Sequence, residues 1–166
     1  MIQVTDSTLI GCTANRKAVI KAAFPLFEMS LMIGTSPTQV SDMFRVSSNG
    51  DNDFGTLTRV RQVLPAVVSD FDVDGKFNDA PSASSPIPVE VHHEVYAWST
   101  APYRKFVIVK YSIKNTGAST LSNLYAGMAA DWDVPNANVS QNKGAYDAAN
   151  KMGYTYLVGG NLMGAM

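Results

Sequence analysis

Cysteine is almost missing from this chain. Cys12 stands alone among 166 residues, so no disulfide can close within it. Histidine is nearly as scarce, with only the adjacent pair His92 and His93. A zinc centre built from Cys and His has few ligands to draw on, and no Cys–His pairing context supports a thiol nucleophile. Charge is sparse as well: Asp, Glu, Lys and Arg make up 16% of the chain, against roughly 25% in an average domain. The net charge of −1 removes the basic footprint of a protein that binds nucleic acid or an anionic membrane surface. No apolar run reaches the ~18 residues of a membrane-spanning helix. Phosphate-loop and dinucleotide glycine patterns and the Gly-x-Ser-x-Gly elbow are all absent from the sequence. Leu9-Ile10-Gly11-Cys12 has the outline of a lipoprotein cleavage box. Met1–Thr8 lacks a basic start and an apolar stretch, however, and Asp6 interrupts it, so an ordinary thiol is the simpler reading.

What is present is alternation. Hydrophobic residues make up 46% of the chain, enough for a sizeable core. Side chains in a strand point to opposite faces in turn. In Val89–Trp98, Val89, Val91, His93, Val95 and Ala97 share one face, and Glu90, His92, Glu94, Tyr96 and Trp98 the other. In Lys105–Asn115, Val107, Val109, Tyr111 and Ile113 oppose Lys110, Ser112 and Lys114. In Leu121–Trp132 both faces are apolar or small, which predicts a central strand covered on both sides. The linkers are short and carry turn residues, so the three segments are predicted to form an antiparallel meander. Phe24–Ile33, Thr56–Leu64, Val67–Val73 and Tyr154–Val158 read as further strands. Thr38–Val46 reads as a loop with a short strand, Ser47–Gly55 as a turn-rich loop and Asn78–Pro88 as a proline-rich connector. Asn136–Met152 reads as a long polar loop with a helical turn near Tyr146–Lys151. Together these predict an all-β chain: one antiparallel β-sandwich domain over residues 1–166 with little helix. The abrupt ending at Gly159–Met166, apolar and without a polar tail, is read as a fragment of a longer, multidomain chain, or else as an intact protein whose terminus docks into the core.

Two oxygen-rich groups are candidate calcium sites. Asp70-x-Asp72-x-Asp74-Gly75 has the opening spacing of an EF-hand loop, but its twelfth position is Pro81 where a bidentate Glu is needed. If the segment is a strand, the three aspartates form a solvated face. Asp131, Asp133, Asn136 and Asp147 form the favoured metal set, with Asn138 beside them, because a polar loop can wrap an ion against a strand end. The competing roles for Asp131 and Asp133 are anchoring a loop through backbone N–H groups, and acid–base glycoside chemistry. His92 and Glu94 read as a solvated pair and His93 as a core residue. Facing opposite ways, the two histidines cannot share a metal without distortion. Trp98, Tyr96 and Trp132, with Tyr103, are candidates for a sugar-stacking platform. Trp132 also continues the face of Leu124, Ala126, Met128 and Ala130, which predicts a buried anchor.

The run VEVHHEVYAWSTAPYRKFVIVKYSIKNTGASTLSNLYAGMAADWDV resembles a β-rich segment of large secreted bacterial proteins. In those proteins a Tyr-Ser-Ile-Lys-Asn-Thr-like strand precedes an Asn-Leu-Tyr-Ala-Gly strand and an Asp-Trp-Asp turn. They often carry a subtilisin-like peptidase domain or a C-terminal sorting domain. The resemblance spans Phe24 to Tyr156 and is clearest at Tyr111–Asp133. It implies a secreted or cell-surface location and a non-catalytic accessory role, with other domains of the parent chain or surface proteins as partners. The competing expectation is a carbohydrate-binding β-sandwich derived from a glycoside-processing enzyme. No cofactor is expected beyond a structural Ca²⁺.

Overall fold

The computed structural model describes residues 2–3, 26–44, 53–79, 85–134, 139–159 and 162–165. Strand dominates, as alternation predicts. In chain order the strands are β1 (Ile2–Gln3), β2 (Leu26–Ser36), β3 (Gln39–Ser41), β4 (Phe54–Val63), β5 (Phe71–Asp79), β6 (Val89–Ala97), β7 (Phe106–Asn115), β8 (Tyr125–Trp132), β9 (Asn142–Asp147), β10 (Met152–Leu157) and β11 (Leu162–Ala165). Helix is confined to 3₁₀ turns at Tyr103–Lys105 and Val139–Gln141. No helix among the described residues is long and apolar enough to cross a membrane. The chain divides into two compact units: Met1–Phe27, Ala97–Ile108 and Asp131–Met166 form the first, and Glu28–Tyr96 and Val109–Ala130 the second.

In the second unit, β4, β5, β6 and β7 are hydrogen-bonded neighbours in sequence order, and β2 lies between β3 and β8 in a separate sheet. The β4–β5 pair is antiparallel, from Phe54↔Asp79 to Val63↔Asp72, with irregular register around Thr58. One buried cluster draws on both sheets. Leu31 and Ile33 come from β2, Phe54 from β4, Val89 and Val91 from β6, and Ile87 from the approach to β6. Phe77, Tyr111, Ile113 and Leu121 pack against it. The fold is all-β and antiparallel, and residues of both sheets share this one buried cluster. The faces expected from alternation hold here: Val89 and Val91 are buried, while Lys110, Ser112 and Lys114 are exposed.

In the first unit, β9 and β10 form an antiparallel hairpin, Met152↔Asp147 to Leu157↔Asn142, and β11 pairs with β10. The pair of residues in β1 meets the start of β7 through Ile2↔Val107 and Gln3↔Phe106.

Four sequence expectations are corrected. β8 is not the third strand of a meander; it joins β2 in the other sheet. The linker from Thr116 to Leu124 is long enough to change layers, and Leu121 within it packs against the core. Nor is β8 covered on both sides. It ends its sheet among the described strands, and Tyr125–Met128 are exposed. Small and apolar residues fit such an edge without being buried. The segment Val67–Asp70 is a bend rather than strand, and β5 starts at Phe71. Finally, the chain turns at 148–151, within the Tyr146–Lys151 stretch expected as a helical turn, but Asn142–Asp147 is a strand where a long polar loop was expected. Its alternation is masked by Asn, Lys and Gly, which register pairing with β10 tolerates on a partly exposed hairpin.

Candidate functional site

Asp72 is the clearest case of a carboxylate used to shape the backbone. Only 3% exposed, it accepts the backbone N–H of Val67 at 2.7 Å, of Val68 at 2.7 Å and of Ser69 at 2.9 Å, and the Ser69 hydroxyl. These bonds fold the β4–β5 connection around one side chain. Burial alone raises the Asp72 pKa, but the Ser69 hydroxyl and the amides of Val68, Val67 and Ser69 outweigh it and lower it from 3.8 to about 2. The EF-hand reading fails on the same geometry. The sixth position, Gly75, lies inside β5 rather than in a turn, and a Cβ there would meet Val60 Cγ2 at 3.1 Å and His93 Cε1 at 3.3 Å. Asp72 is buried, so the three aspartates do not form one solvated face either.

A carboxylate with a depressed folded pKa stabilises the fold above its unfolded value, and that stability is lost as pH falls through the folded value. For Asp72 the window runs from 3.8 down to about 2. Asp72→Asn is therefore expected to be less stable than the parent at neutral pH, with the gap closing as pH falls across that window. Urea unfolding at a series of pH values checks this, and a gap independent of pH would count against it.

The outer face of the β4–β7 sheet carries a row of alternating charge. Arg61 Nε on β4 lies 3.0 Å from Asp74 Oδ1 on β5, and Lys110 Nζ on β7 lies 2.7 Å from Glu94 Oε2 on β6. His92 sits between the two acids, 3.5 Å from Asp74 and 4.0 Å from Glu94. Its Nε2 is buried without a hydrogen-bond partner, so the Asp74 contact is a close approach rather than a bond. The Arg61 hydrogen bond lowers the Asp74 pKa, and the Lys110 hydrogen bond lowers that of Glu94. Tyr96 Oη donates to Glu94 at 2.8 Å. Such cross-strand pairs set register and contribute modestly each. The expected His92–Glu94 pair is thus part of a longer ladder.

On the inner face of the same sheet the rings of Phe54, Phe77, His93 and Tyr111 form a continuous row, one from each of β4, β5, β6 and β7. Their centroids are 4.9, 6.2 and 6.1 Å apart in that order. This row lines a cavity of about 340 Å³, with Met29, Leu31 and Met43 also in its walls. Burial pushes the His93 pKa down, helped by the neighbouring His92, and pushes the Tyr111 pKa up. His93 is thus the core-facing histidine that alternation predicts, held among rings rather than metal ligands. Sequence reading missed the cavity: His93 and Tyr111 were expected as inward positions of their strands, but Phe54 fell in the expected Ser47–Gly55 loop and Phe77 outside every expected strand, whereas β4 begins at Phe54 and β5 runs on to Asp79.

The favoured metal set is only partly placed. Asp131 is the penultimate residue of β8 and Asp133 follows the strand's last residue, Trp132; both aspartates are half-buried. Asn136 and Asn138 lie outside the described residues. Asp147 closes the β9–β10 turn: its Oδ1 accepts the N–H of Ala149 at 3.0 Å and of Asn150 at 3.2 Å, and its Oδ2 accepts Asn150 Nδ2 at 2.7 Å. Among the described residues no three His, Cys, Asp or Glu side chains are grouped to hold a metal. Of the sugar-platform candidates, Trp98 packs with Tyr103 and Phe106 at ring-centroid distances of 6.1 Å each. Trp132 is only 7% exposed and offers no ring face to a sugar.

A groove of about 450 Å³ runs along the opposite face of β2. Met32, Pro37, Val40, Tyr125 and Gly127 are among its walls. Along this segment Leu124 is 38%, Tyr125 66% and Met128 36% exposed. Comparison with protein-family models, with curated proteins and with solved structures found no match to this chain.

Proposed function

We propose that the chain is a non-catalytic accessory domain of a secreted or cell-surface bacterial protein, working by contact with other domains of its parent chain or with surface proteins. The observation that carries this reading is β8. Tyr125–Ala130 contains no charge and no proline, and the strand ends its sheet among the described residues. Sheet edges normally carry such residues to prevent pairing with another chain. The exposed Tyr125 lines an apolar groove, and Leu124 and Met128 add exposed apolar side chains along the same segment, as protein-contact patches do. By contrast, β4, at the end of the other sheet, carries exposed Arg59 and Arg61.

The test has two arms. Protease treatment of intact cells of the source bacterium should cleave the native protein while a cytoplasmic marker survives. The purified domain should bind the separately expressed remainder of its parent protein, and Tyr125→Lys with Met128→Lys should abolish that binding. Protection inside intact cells, or hydrolysis of a polymer lost in Asp131→Asn, would reject the reading.

Carbohydrate recognition is the second reading. The Trp98–Tyr103 pair supports it, since Tyr103 is 52% exposed. Saturable glycan-array binding that disappears in Trp98→Ala would favour it over protein contact.

A further inference from the structure

The inner cavity of the second unit has more order than a packing defect requires. Four rings from four successive strands line it, and Met29 and Met43 supply adaptable thioethers to the walls. A volume of about 340 Å³ would hold roughly eleven waters at ~30 Å³ each, hence a ligand of about a dozen non-hydrogen atoms. The charge of the lining is one-sided. Among the described residues that line it, Arg59 and Lys76 are basic and none is acidic; Lys76 alternates with the inward Phe77 along β5, which leaves Arg59 as the cation available at the opening. Lys76 is engaged with Glu90 at 3.4 Å, and Arg59 is exposed.

We propose that this cavity binds a small aromatic carboxylate, its ring system laid against Phe77, His93 and Tyr111 and its carboxylate held at the opening by Arg59. Each half follows from a separate feature. Flat apolar ligands gain most from offset and edge contacts with a row of rings. A carboxylate buried at the floor would be costly without a partner, whereas a guanidinium at the opening pairs with it in bidentate fashion while both stay partly hydrated. Polar groups in an otherwise apolar wall fix orientation. His93 and Tyr111 are the two ring residues of the wall with polar atoms that could take that role.

The experiment is calorimetric titration of the full chain with 2-naphthoate, followed by amide chemical-shift mapping. A saturable one-to-one isotherm with Kd of about 1 mM or tighter is expected, with shifts centred on residues 29–31, 54–60, 93 and 111. Arg59→Gln, at an exposed position that does not enter the core, should weaken binding about tenfold or more. Naphthalene-2-methanol, which keeps the ring and loses the charge, should bind the parent protein more weakly by a similar factor. Thr56→Trp, also at an exposed lining position, should fill the opening and abolish binding while leaving the melting temperature close to that of the parent. No binding of 2-naphthoate would overturn the proposal. So would binding that survives both Arg59→Gln and Thr56→Trp, or octanoate binding as tightly as 2-naphthoate.

Discussion

Trp132→Ala is expected to destabilise the protein by about 3–5 kcal/mol, the usual cost of truncating a buried tryptophan. Exposure along β8 falls toward its end: Tyr125–Met128 are exposed, Ala129–Asp131 half-buried, and Trp132 is 7% exposed. Val134, two residues on, is fully buried at 0%. The Trp132 carbonyl accepts Asn142 Nδ2 at 2.9 Å, which ties the strand end to the start of β9. The indole is buried on a residue whose backbone is tied to a second segment of the first unit, and its removal leaves a cavity that the hydrogen-bonded backbone resists closing. For a chain of this size the loss corresponds to a fall in melting temperature of roughly 6–20 °C. Trp132→Phe should recover part of it. Thermal unfolding followed by circular dichroism measures the effect. A shift of less than about 2 °C would mean that the ring contributes little burial, and would return Trp132 to the sugar-binding candidates.

Asp79→Ala should cost nearly as much, from polar groups rather than volume. Asp79 is 6% exposed and its Oδ2 accepts two bonds, from Ser41 Oγ at 2.8 Å and from the backbone N–H of Ile87. Ser41 is 1% exposed and Ile87 0%. One carboxylate on β5 thus holds β3 and the approach to β6. Removing it strands two buried donors, each costing about 1–3 kcal/mol, for a total of roughly 2–6 kcal/mol. Asp79→Asn keeps an acceptor and should lose less. Urea unfolding of Asp79→Ala, Ser41→Ala and the double variant gives the coupling directly. The double variant should cost clearly less than the sum of the singles, because Ser41 has no bond left to lose once Asp79 is gone. Strict additivity would show that the Ser41–Asp79 bond contributes nothing in solution.

The strands and their faces were legible because the pleat makes facing a local property. Val89 and Val91 had to lie opposite Glu90 and His92 whatever their neighbours, and the structure buries the first pair. His93 was readable as a core residue for the same reason, and Trp132 as an anchor from the face it shares with Ala130. Both oxygen clusters were visible as composition, but their roles were not. A carboxylate on a strand, in a turn or in a calcium loop has the same sequence signature. Only the bend at Val67–Asp70 aims three amides at Asp72, and only the β9–β10 turn commits Asp147 to Asn150.

Partner choice lay beyond the sequence because every residue but proline offers a strand the same N–H and C=O. Three consecutive strands with short linkers read as a meander, yet β8 pairs with β2, some ninety residues upstream by the element ranges. That selection comes from filling one core from two layers, with Leu121 turning the chain inward. The cavity has the same origin. Phe54, Phe77, His93 and Tyr111 lie on four different strands, and each is unremarkable in its own segment. They become a row only when register sets β4 to β7 side by side, with Met29 and Leu31 of the other sheet lining the same space. Alternation assigns a side chain to a face, but sheet order and layer spacing decide which faces meet, and those depend on hydrophobic burial summed over the whole unit.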